Sequence, residues 1–265
     1  MPSDCEKSKK GTLHPPPLVS IVTVVFNGAK SLERTINSVL GQTYPNIEYI
    51  IIDGGSTDGT LDIIRKYENR LAYWVSERDR GIYDAMNKGI AKASGKVIGL
   101  VNSDDWLEPD AVANIVAHIP KDTDLFVVHG DVRMWHNGKA DKIVRSEREV
   151  KSHGTSVHVA HPSCFVSAEV YRRVGGFSLD YKIVADADFL LRAIHYPVLF
   201  VHTGYVISNM ETGGVSQKHF FRAQREGIRL RRKWGESAWK LYTRAFFMSM
   251  IILFWSPVKR FLRRN

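Results

Sequence analysis

From Leu18 onward the chain alternates continuous β-branched runs with stretches in which apolar residues recur every three or four positions. The run "LVSIVTVVF" (18–26) is apolar enough to be buried on both faces of a sheet. After it, "SLERTINSVL" sets Leu32, Ile36, Val39 and Leu40 on one side of a helix. "IEYIIID" predicts a second buried strand and "TLDIIRKY" a short helix, with Ser56, Thr57 and Asp58 as capping residues at its start. "LAYWVSE", "YDAMNKGIAKA" and "KVIGLVN" continue the series as strand, helix and strand, and "PDAVANIVAHI" adds a helix with Pro109 near its first turn. This alternation predicts an α/β fold with a mostly parallel, Rossmann-like sheet flanked by helices.

Beyond residue 120 the alternation weakens. "DLFVVHGDVRMW" and "KADKIVRSE" predict two strands joined at His136-Asn137-Gly138, a hairpin signal. A polar, His-rich stretch follows, then the helix "AEVYRRV", a Gly175-Gly176 stop and a helix beginning near Asp186. Three of the earlier strands end in polar or acidic residues, at Asn27, Asp53 and Asp104. Ligands of open α/β sheets lie at the carboxyl ends of strands, so these residues are expected to line one crevice.

Composition changes this picture at the two ends. The 265 residues, 44% hydrophobic and 25% charged, suit one large domain with attachments. The expected division is a flexible segment over 1–17, a domain over 18–215 and a tail over 216–265. The net charge of +9 suggests a nucleic-acid binder until its distribution is read. From Lys218 on there are 13 Lys and Arg against Glu226 and Glu236, a local +11, while residues 1–217 carry 24 basic and 26 acidic groups, or −2. The body is therefore near neutral, nucleic acid is not an expected partner, and an anionic partner would meet the tail. Cys5 and Cys164 have neither zinc-site nor disulfide-framework spacing, and the first residues lack the apolar core of a secretory signal. A reducing, cytoplasmic setting is expected.

The chemistry concentrates in acids. Asp104 and Asp105 follow the buried run Val97–Val101 and repel each other, an arrangement tolerated in water or around a cation. By spacing alone the pair reads first as a surface turn that caps a helix. Asp53 before Gly-Gly has its own turn reading. Asp186 and Asp188 are two apart on a helix and point to nearly opposite sides, so one of them at most faces a cleft.

"VSIVTVVFN", "IIDGGSTDGT", "RGIYDAMNKGI" and "GLVNSDDWL" stand in the order and at the separations of family 2 glycosyltransferases of the GT-A fold, which residues 18–200 resemble. The resemblance implies an inverting, metal-dependent transfer of one sugar from a nucleotide-sugar donor, UDP-linked in the first instance, to a lipid-linked or glycan acceptor in bacterial surface glycan biosynthesis. It implies donor contacts at Val25, Asp53, Asp79 and Asp104, a divalent cation (Mn or Mg) at Asp105 and a general base at Asp186. Acceptor contacts would come from His161 and Asp188, His161 being equally readable as a structural histidine. The chain departs from the family pattern at Val24, where Pro is usual, at Met86, where Arg precedes the Asn matching Asn87, and at Ala185, where Glu is usual. Arg80 or Lys88 could replace the missing arginine. The Gln-x-x-Arg-Trp motif of processive synthases is absent. A rival from another class is a catalytically silent body serving a membrane- or nucleic-acid-binding module.

In the tail, "AFFMSMIILFW" (245–255) is apolar on nearly every face but only eleven residues long, against the roughly 20 that a spanning helix needs. Basic residues flank it on both sides, as in an in-plane anchor on the anionic inner face of a cell membrane. The alternative is a helix packed on the core.

Overall fold

The computed structural model describes residues 15–150, 157–212 and 219–243, apart from 238, 240 and 242. Most of the N-terminal segment, His153 and the apolar run 245–255 lie outside the described residues. The first half runs β1 (Val19–Val25), α1 (Leu32–Leu40), β2 (Ile47–Asp53), α2 (Thr60–Lys66), β3 (Tyr73–Ser76), α3 (Ile82–Lys92) and β4 (Val97–Asn102). The second half runs β5 (Trp106–Leu107), α4 (Ala111–Ala117), β6 (Phe126–His136), β7 (Lys139–Val144), β8 (Phe165–Ser167), α5 (Ala168–Val174), α6 (Ala185–Ile194), β9 (Leu199–Glu211) and α7 (Phe220–Lys233).

All nine strands join one sheet in the order β3-β2-β1-β4-β8-β6-β9-β5, with β7 added to β6. β1 lies between β2 and β4 and is parallel to both, Val24 standing opposite Ile52 on one side and Asn102 on the other. All seven residues of β1 are buried, because helices cover both faces of this half. Val22 and Val24 enter one core with α3, α5 and α6, while Val19, Ile21 and Val25 enter the other with α1, α2 and α4. Each strand thus feeds two cores in alternation, as its period of two requires.

The hairpin between β6 and β7 forms where expected, with positive φ at both Asn137 (50°) and Gly138 (71°). Three strands escaped the sequence reading. β5 is only two residues long and β8 three. β9 is long, but its polar His202, Thr203 and Asn209, with Gly204 at φ +81°, break the apolar alternation. The start of α2 also differs from expectation. Its N-cap is Gly59, because Ser56 and Thr57 are engaged in the neighbouring loop and Asp58 reaches Thr60 from outside the helix.

The first basic helix of the tail, α7, is packed on the body. Leu230 is buried in the core of α3, α5 and α6, Trp234 stacks on His195 with ring centroids 4.2 Å apart, and Lys233 pairs with Asp188 at 3.0 Å. Its outer side exposes Phe221, Arg222, Arg225, Arg229 and Arg232. Among the described residues no helix is long and apolar enough to cross a membrane.

On β6, His129 is fully buried with no hydrogen-bond partner at either ring nitrogen. Burial, reinforced by the neighbouring His202 ring and opposed by Asp131, lowers its pKa to about 4. A folded-state pKa below the unfolded value means that the unfolded chain takes up the proton first as pH falls. The associated stability is complete above pH 6.5 and is lost toward pH 4, to a total on the order of 3 kcal/mol. We expect urea midpoints of the His129→Leu protein to fall less steeply than wild type between pH 7.5 and 5. Parallel pH profiles for the two proteins would rule out His129 as the source.

Candidate active site

The carboxyl ends of β1 and β2 are laced together by the side chains of "DGGSTDGT". Asn27, in the left-handed region at φ 51°, donates its N–H to Ser56 Oγ (2.7 Å) and accepts the Thr57 N–H on its own Oδ1 (2.9 Å). Gly28 N–H reaches Thr60 Oγ1 at 3.0 Å and Ala29 N–H reaches Asp58 Oδ2 at 3.1 Å. Asp53 is the hub of this lacing. Its carboxylate accepts the N–H groups of Gly55 (3.1 Å) and Ser56 (2.9 Å), the Ser76 hydroxyl (2.6 Å) and the Ser56 hydroxyl. Three of those donors share Oδ2 and the Ser56 hydroxyl lies on Oδ1, and Asp53 has no exposed surface. Asp53 therefore shapes the loop that a donor would meet.

Val25, the expected contact at the end of β1, is likewise buried, and its carbonyl accepts the Gly54 N–H at 2.8 Å. The next residue, Phe26, is the one presented to solvent, 65% exposed where the chain leaves the sheet. Sequence reasoning missed it, although a large aromatic directly after a buried strand was the available signal. Asp79 closes on the same spot. A Cβ at Gly54 would fall 2.5 Å from Asp79 Oδ2, so only glycine permits that approach.

The two acids at the end of β4 divide their roles. Asp104 is exposed and Asp105 is 2% exposed. Thr35 Oγ1 donates to the carbonyls of Ser103 (3.0 Å) and Asp105 (2.6 Å), and Arg34 donates to the carbonyl of Asp104 (3.0 Å), so α1 fixes the turn from below. The Asp105 carboxylate accepts one hydrogen bond, from Asn102 Nδ2 at 3.1 Å, while the buried Asn102 Oδ1 has no partner. Burial and the adjacent Asp104 charge hold the Asp105 carboxyl well above the usual carboxylate range, with Asn102 and Arg34 opposing. A buried acid, an exposed acid and an unpaired amide oxygen form an oxygen donor set that suits a hard divalent cation. Among the described residues no group of three His, Cys, Asp or Glu side chains could enclose a metal alone, so oxygens of a ligand would complete the shell.

The third part of the site comes from the turn at 161–163 and from α6. β8 pairs antiparallel with β4, Gly99 opposite Phe165, so the turn just before β8 lies toward the carboxyl end of β4. His161 in that turn is 9% exposed, its ring edge-on to Phe177 at 5.4 Å. Burial holds its imidazole below the usual histidine range, and the charge of Asp186 pulls the other way. Asp186 is half-buried and accepts the Tyr83 hydroxyl at 3.2 Å and its own helix's Ala187 N–H at 2.8 Å. Burial keeps the Tyr83 phenol protonated, so it acts as donor both to Asp186 and to the Ile183 carbonyl at 2.6 Å. Cys164 is buried beside this group, and burial pushes its thiol up, out of nucleophilic range.

Asp188 lies on the other side of α6. Far from being a solvated first-turn acid, it is fully buried between Arg192 Nε (2.9 Å) and Lys233 Nζ (3.0 Å). The structure turns it away from Asp186, as its spacing of two residues requires. The candidates for the missing arginine are also occupied: Arg80 pairs with Asp84 at 3.1 Å and Lys88 with Glu77 at 2.7 Å, while Met86 is core. Asn87 clasps both polar groups of the Phe177 peptide, at 2.8 and 2.9 Å, and holds the Gly175-Gly176 turn against α3.

Comparison with known proteins identifies the fold and the family. A PGL/p-HBAD biosynthesis glycosyltransferase of Mycobacterium bovis is 30% identical over 261 residues, covering 89% of this chain and 96% of that protein. S. aureus TarS 1–349 in complex with UDP-GlcNAc superposes with a TM-score of 0.58 at 19% identity, covering 89% of this chain and 73% of that one; this chain spans 39% of a longer TarS chain. The Pyrobaculum calidifontis mannosyltransferase PcManGT, in complex with GDP-Man and Mn2+, gives 0.62 at 19% identity, covering 82% of this chain and 63% of that one. These structures share the GT-A fold. Residues 20–175 match the family model described as glycosyl transferase family 2, and with the strand-end acids in place this chain belongs to that family of glycosyltransferases.

Proposed function

We propose that this enzyme transfers one sugar at a time, with inversion, from a nucleotide-sugar donor to a lipid-linked acceptor of a bacterial surface glycan, on the inner face of the cell membrane. The observation that carries the proposal is the split acid pair at the end of β4: exposed Asp104, buried and poorly partnered Asp105, and the unpaired Asn102 Oδ1 beside them. With Asp186 and His161 at the same end of the sheet, a donor and an acceptor group can meet across one crevice. Donors named for the solved structures, UDP-GlcNAc and GDP-Man, support a nucleotide-sugar substrate, UDP-linked in our reading, and the basic, apolar tail supports a lipid-linked acceptor.

In this reading Phe26 offers its exposed face to the nucleotide base, and the loop organised by Asp53 and closed by Asp79 borders the base and ribose. Asp104 reaches toward the ribose, and Asp104 and Asp105, with Asn102 Oδ1, would hold Mn or Mg. When bound, such a cation offsets the negative charge that develops on the leaving diphosphate. Asp186 takes the proton of the acceptor hydroxyl, held in orientation by Tyr83. His161, kept neutral by burial, hydrogen-bonds the acceptor. The tail supplies the membrane side: the arginines exposed on α7, with the further basic residues to Arg264, face anionic headgroups.

A panel of UDP- and GDP-sugars assayed for hydrolysis with Mn2+, with Mg2+ and with chelator tests the donor half. One donor should be turned over only with metal, and Asp105→Ala should lose at least about 100-fold of that turnover at an unchanged melting temperature. Undiminished activity in chelator, or in the Asp105→Ala protein, would count against the cation site.

Flotation with anionic and neutral liposomes tests the tail. Deleting residues 238–265 should strongly weaken salt-sensitive binding to anionic vesicles, leaving only the share of the α7 arginines, and spare donor hydrolysis, each basic side chain near the surface contributing roughly 1 kcal/mol. Equal binding by both proteins, or an insoluble truncated protein, would contradict a membrane role.

A further inference from the structure

α7 carries a single acid among its basic residues, and that half-buried acid is turned onto the body. Glu226 accepts the backbone N–H of Lys182 on both carboxylate oxygens (3.2 and 3.0 Å) and that of Ile183 on Oε2 (2.9 Å). These amides lie just ahead of α6, whose N-cap is Val184, where a carboxylate also meets the positive end of the helix dipole. The same two residues are gripped from elsewhere as well. The Tyr83 hydroxyl binds the Ile183 carbonyl at 2.6 Å, and Lys182 Nζ binds the Arg80 carbonyl at 2.9 Å. Asp186 follows three residues later, and Tyr83 bonds it too.

Glu226, Leu230 and Lys233 are spaced four and three apart, so they form one stripe of the helix. All three touch the α6 side of the body: Glu226 at its approach, Leu230 in the core, Lys233 on Asp188. Residues 182–194 and 220–233 both lie beyond the family-matched segment 20–175. The helix that holds the approach to Asp186 is thus supplied by this chain's tail.

We infer that Glu226 is a positioning residue for transfer: it holds the 182–183 peptide so that Asp186 stays aimed into the crevice. The inference rests on reading Asp186 as the base. Acting through Asp186, Glu226 should alter turnover and leave donor binding untouched.

The test uses full-length Glu226→Ala, Glu226→Gln and Asp186→Asn proteins, the nucleotide sugar selected by the hydrolysis panel with water as acceptor, and amide hydrogen exchange across 180–190. Glu226→Ala should lower kcat about 10- to 100-fold at a donor KM within about twofold of wild type, as a misplacement on the scale of 1 Å does. Exchange at Lys182 and Ile183 should quicken at least about tenfold while β1 and β4 keep their protection. Glu226→Gln, whose amide oxygen still accepts both N–H groups, should recover most of the kcat. Should Asp186→Asn be silent while Glu226→Ala keeps wild-type kcat, the base assignment stands and the positioning role is overturned. Turnover by Asp186→Asn withdraws the base assignment, and with it the role given to Glu226, even where exchange shows the grip to be real. Faster exchange throughout the sheet in both Glu226 variants, with kcat and KM failing together, shows a general structural residue and overturns the inference.

Discussion

Parallel pairing of β1 with β2 on one side and β4 on the other brings the carboxyl ends of three strands into one row, and the donor side of the crevice hangs from that row. A parallel pair needs a crossover, and here helices make each crossover and bury both faces of the sheet. Because the strands are buried throughout, their ends are where the backbone first reaches water. Phe26, the "DGGSTDGT" loop and the Asp104-Asp105 turn all occupy that boundary. The polar side chains of the loop satisfy one another across the β1 and β2 ends.

Rigidity and frustration are distributed differently among the acids. Asp53, held by four donors, and Asp188, held between two cations, are buried and paired, and both tie the architecture together. Asp105 is buried with one hydrogen bond and a like charge next to it, an arrangement that costs the folded chain stability. Asn102 Oδ1 adds a second unmet group. Buried polar groups left unsatisfied require an explanation, and at the end of β4 the one we propose is a bound ligand or cation.

Much of this was legible in the sequence, and the failures have physical reasons. The first half could be read strand by strand because two-sided burial leaves uninterrupted β-branched runs. β9 was not readable: it sits among mixed neighbours, carries polar residues and contains a glycine at positive φ. The strand ends pointed to the crevice, but at β1 the exposed residue is Phe26 and not Val25, since the pattern says where a run stops and not which side chain turns outward. For Asp53 the position was evident and the four donors that hold it were not, because they depend on the path of the following loop. Helical geometry separated Asp186 from Asp188, yet the partner that buries Asp188 is Lys233, 45 residues away in a tail whose charge suggested only a surface role.

The docking of α7 against α6 also sets an order of events at the ribosome. Chains emerge amino end first, at roughly 5–20 residues per second. β1 to β4 and their helices can close the donor side of the sheet while the rest is being made. The approach to α6 stays unclasped until Glu226 has emerged, and Asp188 has Arg192 as its sole cation until Lys233 follows. During that interval the nascent chain carries the completed ends of β1, β2 and β4 beside a segment around Asp186 that still lacks the helix clasping it.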